Sequence, residues 1–515
     1  MKRFLSLLCL ALLAPFTTPA AEQPRVNVIL WFDTEDYILP ASDDACKQLA
    51  EMLTQRGIRA TFKVVGEKAR VLEQRGRADA IAALKKHVIA YHANLHSVHP
   101  TPTEYLADCG LLDGMAEFIR REGGGARDVR RIFSVPVLAC YGQPGSSWAP
   151  QAIAALKDIG VAPHGVPCYV DDGDHVGLDE QPFWYAGTLN VYGMGRNCTR
   201  MNLHDPADLE PAKARVSAVA ARLREEQGGG LISIYFHPCE WVHREFWDGV
   251  NFRRGANPPR EQWQRPPQRT AQETAAAFLR FGQYIDHIRS LPNLAFVTAA
   301  DLPLLYPDAA HTEGVPEKDL AEIASRLCSA SSKGPDFLVL GRRAYSVADQ
   351  FEALASALGQ LSAGQKPRFP VPLAGLLGPE SAPPPPCQER RLAWTAFRDT
   401  SRDVLDFVQT QRRVPSRVFI GPDAVPPADF LLAMAGAYDG YLKHGRLPLD
   451  GEVSLGKDPE MLPARHVAGD TPGLFGGWII HKEGFRAPKV LEMARLQAWT
   501  LKPALRADAD DAPKH

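Results

Sequence analysis

The chain has 515 residues, of which 45% are apolar and 23% charged, and its formal net charge is −2. That length holds two or three domains with sizeable cores, and the near-neutral balance calls for neither nucleic acid nor an anionic membrane surface as a partner. At the N-terminus, Lys2 and Arg3 precede an apolar run over 4–16 and then TTPAAEQP. A basic start, an apolar core too short to cross a bilayer and small residues after it predict a signal peptide over 1–21, cut after Ala20 or Ala21. The protein is therefore expected to be exported, periplasmic or secreted. The context of Cys9, LSLLC, is a poor lipoprotein box, and no later segment holds the ~20 apolar residues of a membrane span. Eight cysteines follow Cys9. An exported chain permits disulfides, with Cys239 a candidate tether for its loop; without C-x-x-C spacing, no cysteine zinc site is expected.

VNVILWF (26–32) is a continuous apolar run, as a buried parallel strand requires, and DDACKQLAEMLTQRG (43–57) follows with helical spacing and a terminal glycine. IRATFKVVG (58–66) is the next strand, RADAIAALKKH (77–87) a helix and VIAYH (88–92) a strand. Helical runs at 146–160, 206–230 and 271–291 alternate with strands LISIYFHP (231–238) and NLAFVTAADL (293–302). Repeated β-then-α order predicts an α/β unit over 22–306 with parallel strands, open or closed into a (β/α) barrel. A linker is expected over 307–320, then a smaller, mostly helical domain over 321–515. In that domain two units echo each other, QTQRRVPSRVFIGPDAVPPADFLLAMAGAY (409–438) being the clearer copy. They resemble the small helical repeats that bind cell-wall polymers of the pseudomurein type.

Chemistry in α/β folds gathers at the carboxyl ends of parallel strands. The first strand delivers Asp33, Glu35 and Asp36, carboxylates that would repel unless a cation lay between them. The third leads into KHVIAYHANLHSVHP (86–100), with four of the chain's 15 histidines. His92 and His96 are four apart, which on a helical turn puts two imidazoles on one face for one metal. His99 offers a second geometry, and His87 falls at the other end of the strand. A later strand ends in His237.

Together these motifs resemble those of the polysaccharide deacetylases, the NodB-homology or carbohydrate esterase family 4 group. FDTED resembles the first family motif, which implies Asp33 as catalytic base and, as metal carboxylate, Glu35 in a D-x-E register or Asp36 if the turn is bulged. HVIAYHANLHS resembles the second, implying His92 and His96 as metal ligands. ISIYFH resembles the fifth, implying His237 as general acid. The third motif departs from the family: YGQPGSSWAPQ carries Gly142 where an arginine normally holds the base, leaving Gln143 to take a weaker version of that role or the arginine to come from elsewhere. YVDDGDH (169–175) is an acidic counterpart of the fourth.

The resemblance implies a distorted deacetylase-type barrel and an exported metal-dependent amide hydrolase that removes N-acetyl groups from a polysaccharide or cell-wall glycan. The metal would be Zn²⁺, with Co²⁺, Ni²⁺ or Mn²⁺ as alternatives. Gln143, Trp148, Trp241 and Trp247 are candidate substrate contacts, aromatic faces being suited to sugar rings. The competing readings are a deacetylase-like carbohydrate-binding protein without turnover, favoured by Gly142, and a hydrolase of small amides. Nothing in the sequence fixes the oligomeric state.

Overall fold

The computed structural model describes residues 25–329, 334–386, 391–455 and 460–507; the expected signal peptide and Cys387 lie outside them. Strand β1 (Val26–Thr34) is buried along its whole length, as its apolar run predicts. It pairs in parallel with β7 (Gly230–Phe236) on one side. It also pairs in parallel with β2 (Thr61–Val64) near its end and with β8 (Leu294–Val297) near its start. Strand β3 (Val88–Tyr91) continues the sheet beside β2. A second sheet joins β4 (Cys168–Val170), β6 (Thr188–Val191) and β5 (Phe183–Tyr185). The two sheets touch through single parallel bridges at Tyr91–Tyr141, Tyr141–Tyr169 and Cys198–Ser233. The α/β order therefore stands, and among the described residues single bridges, not a continuous ladder, join the two sheets.

Helices Ala41–Gln55, Leu209–Gln227 and Ala271–Ser290 occupy the expected runs. The longest helix described, Leu111–Phe133, lies outside the expected runs: its apolar positions recur at helical spacing, but Gly123, Gly124 and Gly125 interrupt them in its middle. Glycine weakens a helix, but here close packing requires it. A Cβ on Gly125 would stand 2.5 Å from Tyr91 Oη and 2.6 Å from Asn94 Oδ1. Beside it, buried Glu122 accepts hydrogen bonds from Tyr91 Oη (2.8 Å) and Asn94 N (2.7 Å). The helix thus anchors the loop that follows β3.

The later chain contains two copies of a β-hairpin followed by a helix. Leu338–Leu340, Arg343–Tyr345 and the helix Val347–Ser362 recur 80 positions on as Val418–Ile420, Asp423–Val425 and Pro427–His444. Gly341 and Gly421 turn the hairpins with the same φ of +61°. These helices share their own core with Glu317–Ser329 and Trp394–Gln411. From about residue 462 the chain leaves that unit: Phe475, Val490, Leu491, Ala494 and Leu501 pack in the core of the first, and Lys502–Pro503 pairs with β5. The chain after 321 is therefore not one unit. Among the described residues Cys46, Cys109, Cys140, Cys168, Cys198, Cys239 and Cys328 are free thiols, so no described cysteine is tethered by Cys239. Among the described residues no helix is long and apolar enough to cross a membrane.

Candidate active site

Strand register brings the chemistry together. Asp33 pairs with Lys63 across β1 and β2, Phe32 with Phe236 across β1 and β7, and Val64 with Tyr91 across β2 and β3. Asp33, His237 and His92 therefore emerge at the same end of neighbouring parallel strands, and they line one pocket of about 390 Å³.

Glu35, His92 and His96 each offer a ligand atom, all within 4.8 Å of one another and all buried. The histidines sit on an irregular loop rather than a helical turn. Positive φ values at Ala93 (63°) and His96 (56°) fold that loop until the two rings lie 4.9 Å apart. Such left-handed backbone costs a non-glycine residue about 1 kcal/mol and clusters at functional sites. His92 Nδ1 faces the Gly142 carbonyl at 3.0 Å and His96 Nδ1 the Ser97 hydroxyl at 2.6 Å. With those partners taken, both Nε2 atoms point at Glu35 Oε2, from 3.3 and 2.9 Å. His96 Nε2 is buried without a hydrogen bond. Two imidazole lone pairs facing a carboxylate oxygen form a cradle for a cation, and the donor set of two nitrogens and one oxygen fits Zn²⁺. Burial alone would raise Glu35, but the neighbouring His96 and His237 and the hydrogen bond to His92 hold it well below the usual carboxylate range.

Asp36, the alternative metal carboxylate, is turned away. Its Oδ1 accepts from Ile38 N (2.8 Å) and Leu39 N (3.1 Å), and its Oδ2 meets His243 Nε2 at 2.8 Å. Its side chain is spent holding the turn after β1. His99 pairs with Glu104 at 2.7 Å and stands outside the cluster.

Asp33 is held by Lys63, which the sequence reading missed. Lys63 Nζ lies 2.8 Å from Asp33 Oδ1 and 3.1 Å from Asp171 Oδ2, donates to Val170 O, and sits 3.9 Å from the Trp31 ring centroid. Its side chain has no solvent exposure. Burial works against its charge, but Asp171 and Asp33 outweigh that and raise its pKa. Burial pushes Asp171 up despite Lys63. Gly142 belongs to the same arrangement: a Cβ there would stand 2.0 Å from Lys63 Nζ. The cation expected from position 142 thus comes from β2, and the glycine makes room for it. Gln143 is not a substitute, because its amide donates to Gly145 O (2.7 Å) and accepts from Tyr169 Oη (2.6 Å), fixing the turn instead.

His237 Nε2 faces Asp33 Oδ2 at 3.6 Å. Behind it, Glu240 Oε1 meets His237 Nδ1 at 2.6 Å, and Glu240 is itself paired with Arg200. Burial opposes the imidazolium, yet the Glu35 charge and the Glu240 hydrogen bond push His237 up to about 9.

Of the expected tryptophan contacts, Trp241 is fully buried against Phe278 and Phe281, and Trp148 is stacked on His175. Both are core residues with no face for a sugar. Trp247 is buried too, but its Nε1 donates to Glu35 Oε1 at 2.8 Å and so orients the carboxylate of the cluster. The indole that does line the pocket is half-buried Trp478, from the returning C-terminal segment. It packs on Gly145, whose φ is +49° and where a Cβ would lie 2.2 Å from the ring. No local motif marks Trp478, because 241 positions of chain separate it from His237.

No protein-family model matches the chain, and no curated protein matches its sequence. Its structure is similar to those of family 4 polysaccharide deacetylases. One is a family 4 carbohydrate esterase from Streptomyces lividans, in complex with acetate: 15% identity over 53% of this chain and 92% of that chain, TM-score 0.27. Another is a peptidoglycan deacetylase from Bdellovibrio bacteriovorus: 15% identity, 55% of this chain and 54% of that chain, TM-score 0.27. PuuE allantoinase is also similar: 10% identity, 55% and 93%, TM-score 0.34. Likenesses this distant assign no activity, and the functional reading stands on the side chains of the pocket.

Proposed function

We propose that the protein is an exported, divalent-metal-dependent hydrolase that removes N-acetyl groups from a glycan, a polysaccharide or cell-wall polymer. The observation that carries this reading is the opposition of Asp33 and His237, 3.6 Å apart beside the Glu35, His92 and His96 cluster, each pinned from behind. Zn²⁺ suits that cluster, with Co²⁺, Ni²⁺ or Mn²⁺ as alternatives, and when bound the cation supplies Lewis acidity toward the acetyl oxygen. Asp33 accepts a proton from water as the water oxygen bonds to the acetyl carbon. Lys63 fixes Asp33 through Oδ1 and leaves Oδ2 toward the reaction. His237 gives its proton to the sugar nitrogen as the C–N bond breaks, releasing acetate and a free amine. Glu240 holds the imidazolium in place for that transfer.

Lys63 also favours turnover over binding alone. The departure at Gly142 was the reason to suspect an inactive protein, and the Asp33 side chain has a cation despite it. The paired hairpin–helix units are the part proposed to hold the polymer. Acetate release from chitotetraose by the zinc-loaded protein tests the reading. Release that stops with chelator and in Asp33→Asn supports it; release indifferent to both overturns it.

A further inference from the structure

Behind His237 and Phe246, which it shares with the candidate active site, lies a second concave pocket of about 400 Å³. Arg200, His204, Arg244 and Arg269 line it, and Glu240 is the one carboxylate among its lining residues. That carboxylate is already committed, with Arg200 on one oxygen and His237 Nδ1 on the other. Arg244 is paired with Glu273 at 2.7 Å. Arg269 has no carboxylate within 4.0 Å among the described residues, and its Nε is buried without a hydrogen bond. Burial and the like charge of Arg244 push its guanidinium down, against the pull of Glu273 and Glu240. A buried guanidinium N–H without a partner is costly. The catalytic pocket it adjoins is lined by carboxyl groups, among them Asp33, Glu35, Asp172 and Asp174.

We propose that the Arg269 pocket binds a carboxylate carried by the substrate, so that the glycan is acidic. A guanidinium fork takes a carboxylate bidentately, and the free N–H groups of Arg269 supply that fork. The carboxylate lies on the His237 side, on a sugar adjoining the one that loses its acetyl group, because His237 and Phe246 are the residues the two pockets share. This inference rests on the hydrolase reading and adds the substrate class to it.

The test compares a neutral probe, chitotetraose, with an acidic one, a hyaluronan tetrasaccharide, on the zinc-loaded full-length protein and on Arg269→Met. Arg269 rather than Arg200 is changed, because Arg200 holds Glu240 and through it His237. The expected result is a kcat/KM at least about tenfold higher for the hyaluronan probe, lost in Arg269→Met with the chitotetraose rate unchanged and partly restored in Arg269→Lys. Equal rates on both probes, or a variant that slows both alike, would overturn the proposal. If neither probe is hydrolysed, the hydrolase reading fails by itself, and calorimetry with glucuronate still reads the pocket. Binding to the unaltered protein that disappears in Arg269→Met supports it. No glucuronate binding, or binding of inorganic phosphate alone, rules out a carboxylate site.

Discussion

The two walls of the candidate active site are built in opposite ways. The imidazole wall comes from one short loop, with His92 and His96 four residues apart behind β3. The wall that holds Asp33 is assembled from four places: Asp33 on β1, Lys63 on β2, Gly142 on a connecting loop and Asp171 after β4. A short loop can be recognised as a string of residues. A cation that reaches a carboxylate from the next strand is visible only once the register is known, and its partner change is the absence of a side chain at position 142.

That contrast can be broken most forcefully at the residue both walls serve. Asp33→Asn is expected to lower acetate release by about 10²–10⁴-fold while leaving metal content unchanged. Loss of metal in this variant would tie the base to the imidazole wall instead. Next in size is Lys63→Met, which strips the cation from two buried carboxyl groups. It should destabilise the fold by about 3–5 kcal/mol in denaturant melts and depress turnover. Gly142→Arg alone should also be harmful, because its side chain would start inside Lys63. Lys63→Met with Gly142→Arg should be more stable and more active than either single variant; if it is the worst of the three, Lys63 does not occupy the position of the missing arginine.

On the imidazole wall, Trp247→Phe removes the donor to Glu35 Oε1 and little volume. Metal affinity should fall about 10–100-fold in a competition titration, since an oriented ligand is lost without the ligand itself. The smallest effect lies away from the pocket and contrasts a compensated buried charge with an uncompensated one. Lys63 has two carboxyl partners, whereas Glu352 Oε2 is buried without a hydrogen bond, and burial pushes that carboxyl up to about 7. The folded state then holds its proton more tightly than the unfolded chain. Stability should be full below about pH 4.5, decline up to about pH 7 and level off above. Glu352→Gln should match the unaltered protein at pH 4 and exceed it by about 1–3 kcal/mol at pH 8; a constant difference across pH would mean the carboxyl does not titrate there.

Much of this was legible in the sequence where spacing is local. The β-then-α order, His92, His96, Asp33 and His237 could be read from strand-end patterns, although the histidine pair is held by two left-handed residues and not by a helix. The helix Leu111–Phe133 was masked by its run of three glycines, of which Gly125 is required by close packing on Tyr91. The three-residue strands of the second sheet are too short to give a period. Tryptophans chosen for their chemistry near His237 proved to be core, while Trp478 reaches the pocket from the far end of the chain. Aromatic type alone does not separate a stacking face from a packed one.

Glu35, His92 and His96 are the proposed ligands of one divalent cation. Elemental analysis of the purified protein after zinc loading and desalting, beside His92→Ala, tests it most directly. One equivalent of metal in the unaltered protein, lost in the variant while the variant's circular dichroism stays native, is the predicted result. A metal-free unaltered protein, or an equivalent that persists in His92→Ala, would contradict it.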